Sequence, residues 1–310
     1  MVLGLVGAWA VRLGLRPLDR IAETAGEIAG GALQRRVSPA GTRTEIGRLG
    51  LALNAMLAKI EEAFAARRAS EDRLRRFVAD ASHELRTPVA SIRGYAELFR
   101  RGAAAHPDDL AMAMRRIEDE AGRMGRLVDD LLLLARLDEG RPLERQPVDL
   151  SQLALDAAAD ARATDSSRPI QTIVADDAIV IGDESRLRQV VANLVRNALV
   201  HTPPRTAIEI STAMAGDCAL LSVADHGRGI SPEIAGRVFE RFYRADPARG
   251  RDTGSSGLGL SIVAAIVGAH GGSVSVGTTP GGGATFTVRL PLYSNGAPRL
   301  PQEREPAHMT

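Results

Sequence analysis

At 310 residues the chain is long enough for about two domains. Its 39 lysines and arginines stand against 38 aspartates and glutamates, a formal charge of +1, so no overall basic field points to nucleic acid. The single cysteine, Cys218, excludes an intrachain disulfide and suits a reducing cytoplasm; its neighbours Ala219, Leu220 and Leu221 mark it as a core thiol. Val2 to Val11 form an apolar run that stops at Arg12, about half of the ~20 residues a membrane span requires. There is no small-residue cleavage pattern, and the arginines at 12, 16 and 20 suit the cytoplasmic exit of a membrane helix better than a signal peptide. Residues 1–15 are therefore expected to be the end of a transmembrane helix of a longer protein, with a soluble amphipathic start as the alternative. That reading puts the chain at the cell membrane with its remaining part in the cytoplasm, and without a sensing domain.

In residues 16–69, Leu18, Ile21, Ala25, Ile28 and Ala29 predict a short helix. Gly30-Gly31, an extended piece from Leu33 to Val37 and the turn Ser38-Pro39-Ala40-Gly41 follow. From near Glu45, Ile46, Leu49, Leu53, Met56 and Ile60 recur at spacings of three and four, a heptad seam that an ordinary amphipathic helix also produces. Arg16-Pro17-Leu18, Glu45-Ile46-Gly47 and Leu53-Asn54-Ala55-Met56 resemble a HAMP linker. The resemblance implies a parallel dimeric bundle that relays motion from a membrane helix.

The next helix is expected from about Ser70 to Arg101, with Leu74, Phe77, Val78, Ala81, Leu85, Val89 and Ile92 on one face. His83 lies two residues, roughly 200°, from Ala81 and so points away from that stripe. Glu84 can polarise the imidazole, and Thr87, four residues on, shares its face. Pro88 cannot bond to the carbonyl of Glu84, so a bend is expected there. A lone surface histidine is usually silent. The stretch Phe77-Val-Ala-Asp-Ala-Ser-His83-Glu84-Leu85-Arg86-Thr87-Pro88, followed by Ser91-Ile-Arg-Gly-Tyr95, nevertheless resembles the phosphoacceptor box of two-component sensor histidine kinases. On that resemblance His83 takes the phosphate, Glu84 is its base or orienter, and Thr87 can position water for dephosphorylating a response regulator. A reversing loop at 102–107 and Asp108 as N-cap precede a helix carrying Leu110, Met114, Ile117, Ala121, Met124, Val128 and Leu131. Two helices cannot bury such faces alone, so residues 70–140 are expected to form an antiparallel four-helix bundle in a homodimer; an intrachain bundle is the alternative.

Asp138 to Pro147 reads as a polar linker. Beyond it, short β-rich runs at 170–174, 179–181, 207–212, 219–224, 273–276 and 285–290 alternate with helices near 151–163, 185–200 and 258–269. The fold class expected is α+β: helical segments followed by an α/β sandwich over 146–293. The Pro-rich polar residues 294–310 are expected to be disordered.

Gln189, Asn193, Asn197 and His201 fall four apart and share one helix face, opposite the apolar Leu187, Val190, Val191, Leu194 and Ala198. Such a row is also compatible with a solvated face, although an asparagine oxygen can serve Mg²⁺. Asp225-His-Gly227-Arg-Gly229 ends an apolar strand, where a carboxylate can accept from an adenine amino group. Gly254-Ser-Ser-Gly257-Leu258-Gly259 opens a helix whose free amides suit phosphates, and residues 245–252 before it read as a mobile lid. Each pattern alone is common. Together with Val238-Phe239-Glu-Arg-Phe242-Tyr243-Arg244 and Gly281-Gly-Gly-Ala-Thr-Phe286, in this order, they resemble the boxes of the ATP-binding catalytic domain of the gyrase and histidine-kinase superfamily.

The resemblance implies ATP and Mg²⁺ as ligands, with Asn193 on the metal, Asn197 on the phosphates, and Asp225 with Gly227 and Gly229 around the adenine. Gly257 and Gly259 would form the closing lid, with Gly254 and Leu258 also binding the nucleotide and Phe239 and Phe242 as apolar anchors of the lid. Val200 stands where many kinases carry a lysine, so His201 or a lid arginine such as Arg244 would supply the missing phosphate contact. Gln189 stands where hydrolytic relatives place a water-activating glutamate, and a glutamine is no general base. The expected function is an ATP-dependent protein-histidine kinase that phosphorylates His83 and passes the phosphoryl group to a response regulator. A stand-alone ATPase and a signalling-dead dimeric scaffold are the alternatives.

Overall fold

The computed structural model describes residues 9, 16, 18–28, 30, 32, 34–42, 44–100, 107–139, 142–176, 178–244 and 256–293. The readings on the apolar start, the reversing loop, the lid, Gly254 and the tail fall wholly or mostly outside these residues. No helix among the described residues is long and apolar enough to cross a membrane. The chain divides into two compact units, Met1–Ala79 and Asp80–Thr310.

In the first unit, α1 (18–28) and the N-terminal part of α2 (Glu45–Arg100) bury Ile21, Val37 and Leu57, with Ile28, Ile46 and Leu53 packed against them. The connector between the helices is held by Asn54, whose Oδ1 accepts from the Val37 amide at 2.8 Å and whose Nδ2 donates to the Val37 carbonyl at 3.0 Å. One side chain thus satisfies both backbone groups of a residue that pairs with no strand. Arg36 forks onto Glu61 farther along α2, and Thr44 starts α2 by accepting from the amide of Gly47 at 3.0 Å.

Two separate helices were expected where α2 is one continuous helix of 56 residues. Residues 61–76 contain neither glycine nor proline and consist largely of alanine, arginine and glutamate, so nothing in them stops the helix. The helix also continues through Pro88.

In the second unit, α3 spans Pro107–Asp138. Asp108, expected as the N-cap, lies with Asp109 inside its first turn, where carboxylates complement the helix dipole. The strands β1 (Gln146–Asp149), β2 (Ile170–Ile173), β3 (Ile179–Gly182), β4 (Ile208–Ala215), β5 (Cys218–Asp225), β6 (Ser273–Thr278) and β7 (Ala284–Pro291) alternate with α4 (Leu150–Thr164), α5 (Glu184–His201), α6 (Pro232–Ala235) and α7 (Gly259–Ala269). Five strands form a sheet in the order β2-β4-β5-β7-β6, antiparallel except for β2 beside β4; β1 and β3 form a separate antiparallel pair.

The strict alternation of buried and half-buried residues in β5 puts one face of the sheet inward. Helices α4, α5 and α7 cover that face with Leu153, Leu187, Leu194, Ile262 and Ile266 against Ile210, Leu221, Phe286 and Leu290. Burying each such large side chain contributes roughly 1.5–3 kcal/mol. Leu127, Leu133 and Leu134 of α3 join the same core, and Leu85 of α2 packs against it.

Two polar contacts fix α5 at its ends. At the start, His270 Nε2 accepts from the Asp183 amide at 3.0 Å while Nδ1 lies 2.7 Å from the Ile266 carbonyl, which requires the proton on Nδ1. At the end, the buried Arg168 donates to Thr202 Oγ1 and to the Leu199 carbonyl, and its Nε pairs with Asp165 at 3.1 Å. These supply partners for helix-end groups that would otherwise lack them. The start of α5 is thereby fixed to the end of α7, and its end to the turn between α4 and β2.

Candidate nucleotide and phosphoacceptor site

Asp225 is the last residue of β5 and is buried. Its Oδ1 accepts from the amide of Gly227 at 2.9 Å and from the amide of Ala284 at 3.3 Å, so the backbone on both sides aims the carboxylate. Gly283, with φ +110°, makes this possible, since a Cβ there would collide with the Asp225 carbonyl oxygen. Gly227 and Gly229 sit in the same turn, Gly227 against Thr202 at the C-cap of α5.

Asn193 and Asn197 are half-buried on the same face of α5. Asn193 Nδ2 donates to the Gly259 carbonyl at 3.4 Å and its Oδ1 accepts from Arg196 Nη2 at 3.4 Å. Gln189 accepts from Arg186 at 3.3 Å. The imidazole of His201 is held below the ordinary histidine value, chiefly because its surroundings disfavour charge, while nearby Asp225 pulls it part of the way back. The folded chain thus binds that proton less readily than the unfolded chain. The stability this group contributes is present above about pH 6.5 and is lost as the pH falls through the window below it. An NMR titration is expected to place the His201 midpoint below 6.5, and lower still in Asp225→Asn, where the favourable charge is gone; an unchanged midpoint would contradict the contact.

Phe242 and Gly257 join the two edges of the segment read as a lid. The Phe242 amide donates to the Gly257 carbonyl at 3.0 Å, and both residues have positive φ, +60° and +70°. A side chain on Gly257 would lie 2.9 Å from the Phe242 carbonyl carbon, so glycine is required on steric as well as conformational grounds. Phe239 stacks edge-on against Phe286 of β7 at 6.2 Å, which ties this hinge to the sheet. Leu258 is fully buried, an anchor beneath Gly259 at the start of α7.

On α2, His83 and Thr87 are exposed and Glu84 is half-buried. Thr87 Oγ1 lies 3.5 Å from the His83 carbonyl oxygen. Glu84 faces the catalytic fold: its Oε2 accepts from Arg244 Nη2 at 2.6 Å. Arg241 of the same segment donates to both carboxylate oxygens of Asp138 at the end of α3, at 2.7 and 2.8 Å. The structure thus pairs the neighbour of the exposed histidine with Arg244, at the edge of the segment read as a lid.

Sequence spacing did not single out Arg168, Arg196 or His270. Arg168 and His270 act across 34 and 87 residues of chain, where no local pattern exists. Arg196, three residues after Asn193, could have been found by reading its helix for charges beside the amides.

A strand-end carboxylate, an amide row and a glycine-bearing helix start thus lie in one α/β domain. Residues 182–294 match the histidine kinase-, DNA gyrase B- and HSP90-like ATPase family; residues 73–140 match the His Kinase A phospho-acceptor domain, and residues 9–62 the HAMP domain. The chain belongs to the sensor histidine kinase family.

It is 48% identical over 296 residues to the probable sensor histidine kinase TcrY of Mycobacterium tuberculosis, covering 92% of this chain and 62% of that protein. The chain thus spans about three fifths of that relative's length. Among solved structures, full-length ShkA in complex with AMPPNP is 29% identical, with a TM-score of 0.52 over 61% of this chain and 40% of that one. ThkA in complex with the response regulator protein TrrA shares the fold at 24% identity, with a TM-score of 0.60 over 75% of this chain and 66% of that one.

Proposed function

We propose that this chain is the kinase portion of an ATP-dependent protein-histidine kinase: it phosphorylates His83 and passes the phosphoryl group to an aspartate of a response regulator. The observation that carries the reading is the pairing of Arg244 with Glu84, which puts the lid edge of the ATP fold beside the phosphoacceptor box. Asp225 accepts from the adenine amino group, the α5 amides hold the phosphates, and His83 attacks the γ-phosphorus while Glu84 takes or orients its proton. ShkA holding AMPPNP on a related fold supports the choice of nucleotide.

Asn193 would hold Mg²⁺ through its amide oxygen, which also accepts from Arg196 Nη2, and phosphate oxygens and water would complete the shell. When bound, the ion supplies charge neutralisation on the phosphates. Gln189, already engaged by Arg186, has no basic lone pair for water, which favours transfer to His83 over hydrolysis.

Exposed apolar side chains on the phosphoacceptor hairpin, among them Val89, Leu98, Met114, Val128 and Leu132, support a homodimer in which a second copy covers them. The HAMP match and the apolar start support a place at the cell membrane with the catalytic part in the cytoplasm. Thr87, one turn from His83, would serve the reverse reaction, dephosphorylation of the regulator. Incubating the phosphorylated chain with a panel of receiver domains is the test: label is expected to move rapidly to one or a few of them. Retention on the chain against the whole panel would contradict the transfer step.

A further inference from the structure

The triphosphate of ATP carries several negative charges, and a site that takes it gains most from charge-assisted hydrogen bonds. On the face of α5 that meets the start of α7, Gln189, Asn193 and Asn197 are uncharged, Val200 is apolar, and His201 is held toward its neutral form. Arg244 is engaged by Glu84.

Arg196 rises from the same ridge as Asn193 and Val200, three residues after one and four before the other. Its Nη2 reaches Asn193 Oδ1 at 3.4 Å and stands 3.5 Å from the place a Cβ on Gly259 would occupy. Gly259 opens α7, and Leu258 before it offers no side-chain cap to the first amides of that helix. A guanidinium, an asparagine amide and an uncapped helix start therefore converge on one point.

We propose that Arg196 is a cation that binds the ATP phosphates in this chain, a role the apolar Val200 cannot fill. The assignment rests on the proposed ATP site and adds to it a residue that holds substrate. Across from it, Asp130 of α3 has a carboxyl pushed up chiefly by burial and drawn back down by Arg196. Asp130 and the phosphates therefore compete for one guanidinium, and removing the carboxylate charge releases Arg196 to the nucleotide.

Calorimetric titration of the whole chain with MgATP and, separately, with adenosine tests this. Arg196→Gln is expected to weaken ATP binding about tenfold while adenosine changes less than twofold, because only the phosphates lose a partner. Arg196→Lys should retain most of the affinity, and Asp130→Asn should bind ATP at least as tightly as wild type. Unchanged ATP affinity in Arg196→Gln overturns the assignment. So does equal loss of ATP and adenosine, the signature of a purely structural role. A wild-type chain that binds no ATP would instead overturn the proposed function itself.

Discussion

Asp225→Asn is expected to keep the fold and lose nucleotide. The substitution preserves shape, and the new amide oxygen can still accept from the Gly227 and Ala284 amides that now hold Oδ1. What changes is the other end of the side chain: an NH₂ group faces the adenine amino group, donor against donor, in a buried position. Losing a charge-assisted hydrogen bond and leaving a donor unmatched costs about 2–4 kcal/mol, or roughly thirty- to a thousandfold in affinity for ATP. Titration with MgATP alongside thermal unfolding separates the two effects, with affinity falling and the unfolding midpoint nearly constant. ATP affinity within twofold of wild type would remove Asp225 from the adenine site.

His83→Gln should abolish phosphorylation without touching ATP binding. The histidine is exposed on α2, so the change costs no packing. A glutamine amide has no nucleophilic nitrogen, and loss of the sole acceptor lowers the rate at least about a thousandfold. Glu84→Gln is a milder lesion. It leaves the nucleophile in place but removes both the base and the ionic partner of Arg244, so it slows phosphorylation and loosens the contact between lid edge and helix.

Much of this arrangement could be read in the sequence wherever it is periodic. The spacing of four that aligns Gln189, Asn193, Asn197 and His201 became the polar face of α5, opposite its buried Leu187, Val191 and Leu194, and the alternation at 219–224 became β5 with Asp225 at its end. Strand β1 escaped because Gln146-Pro-Val-Asp149 buries only Val148 and gives no alternation to detect. The four-residue α6 is too short for any helical period. The junction expected near Ser70 does not exist because helix formers run through it, a case in which a change of domain is not a change of structure.

The contacts that complete the site lay beyond the reach of spacing. Glu84 and Arg244 are 160 residues apart, and Arg241 and Asp138 are 103 apart. Each is half of an ion pair whose partner only the tertiary fold supplies. Arg168, next to Pro169 in the turn before β2, is almost wholly buried and closes the end of α5.

In the proposed reaction the γ-phosphate of ATP ends on His83. Incubation of the purified chain with γ-labelled ATP and Mg²⁺, followed by acid and base treatment of the protein, addresses it directly. The expected result is a labelled protein whose phosphate is lost in acid, survives base, and is missing from His83→Gln. Steady release of inorganic phosphate with no labelled protein, or equal labelling of wild type and His83→Gln, would contradict it.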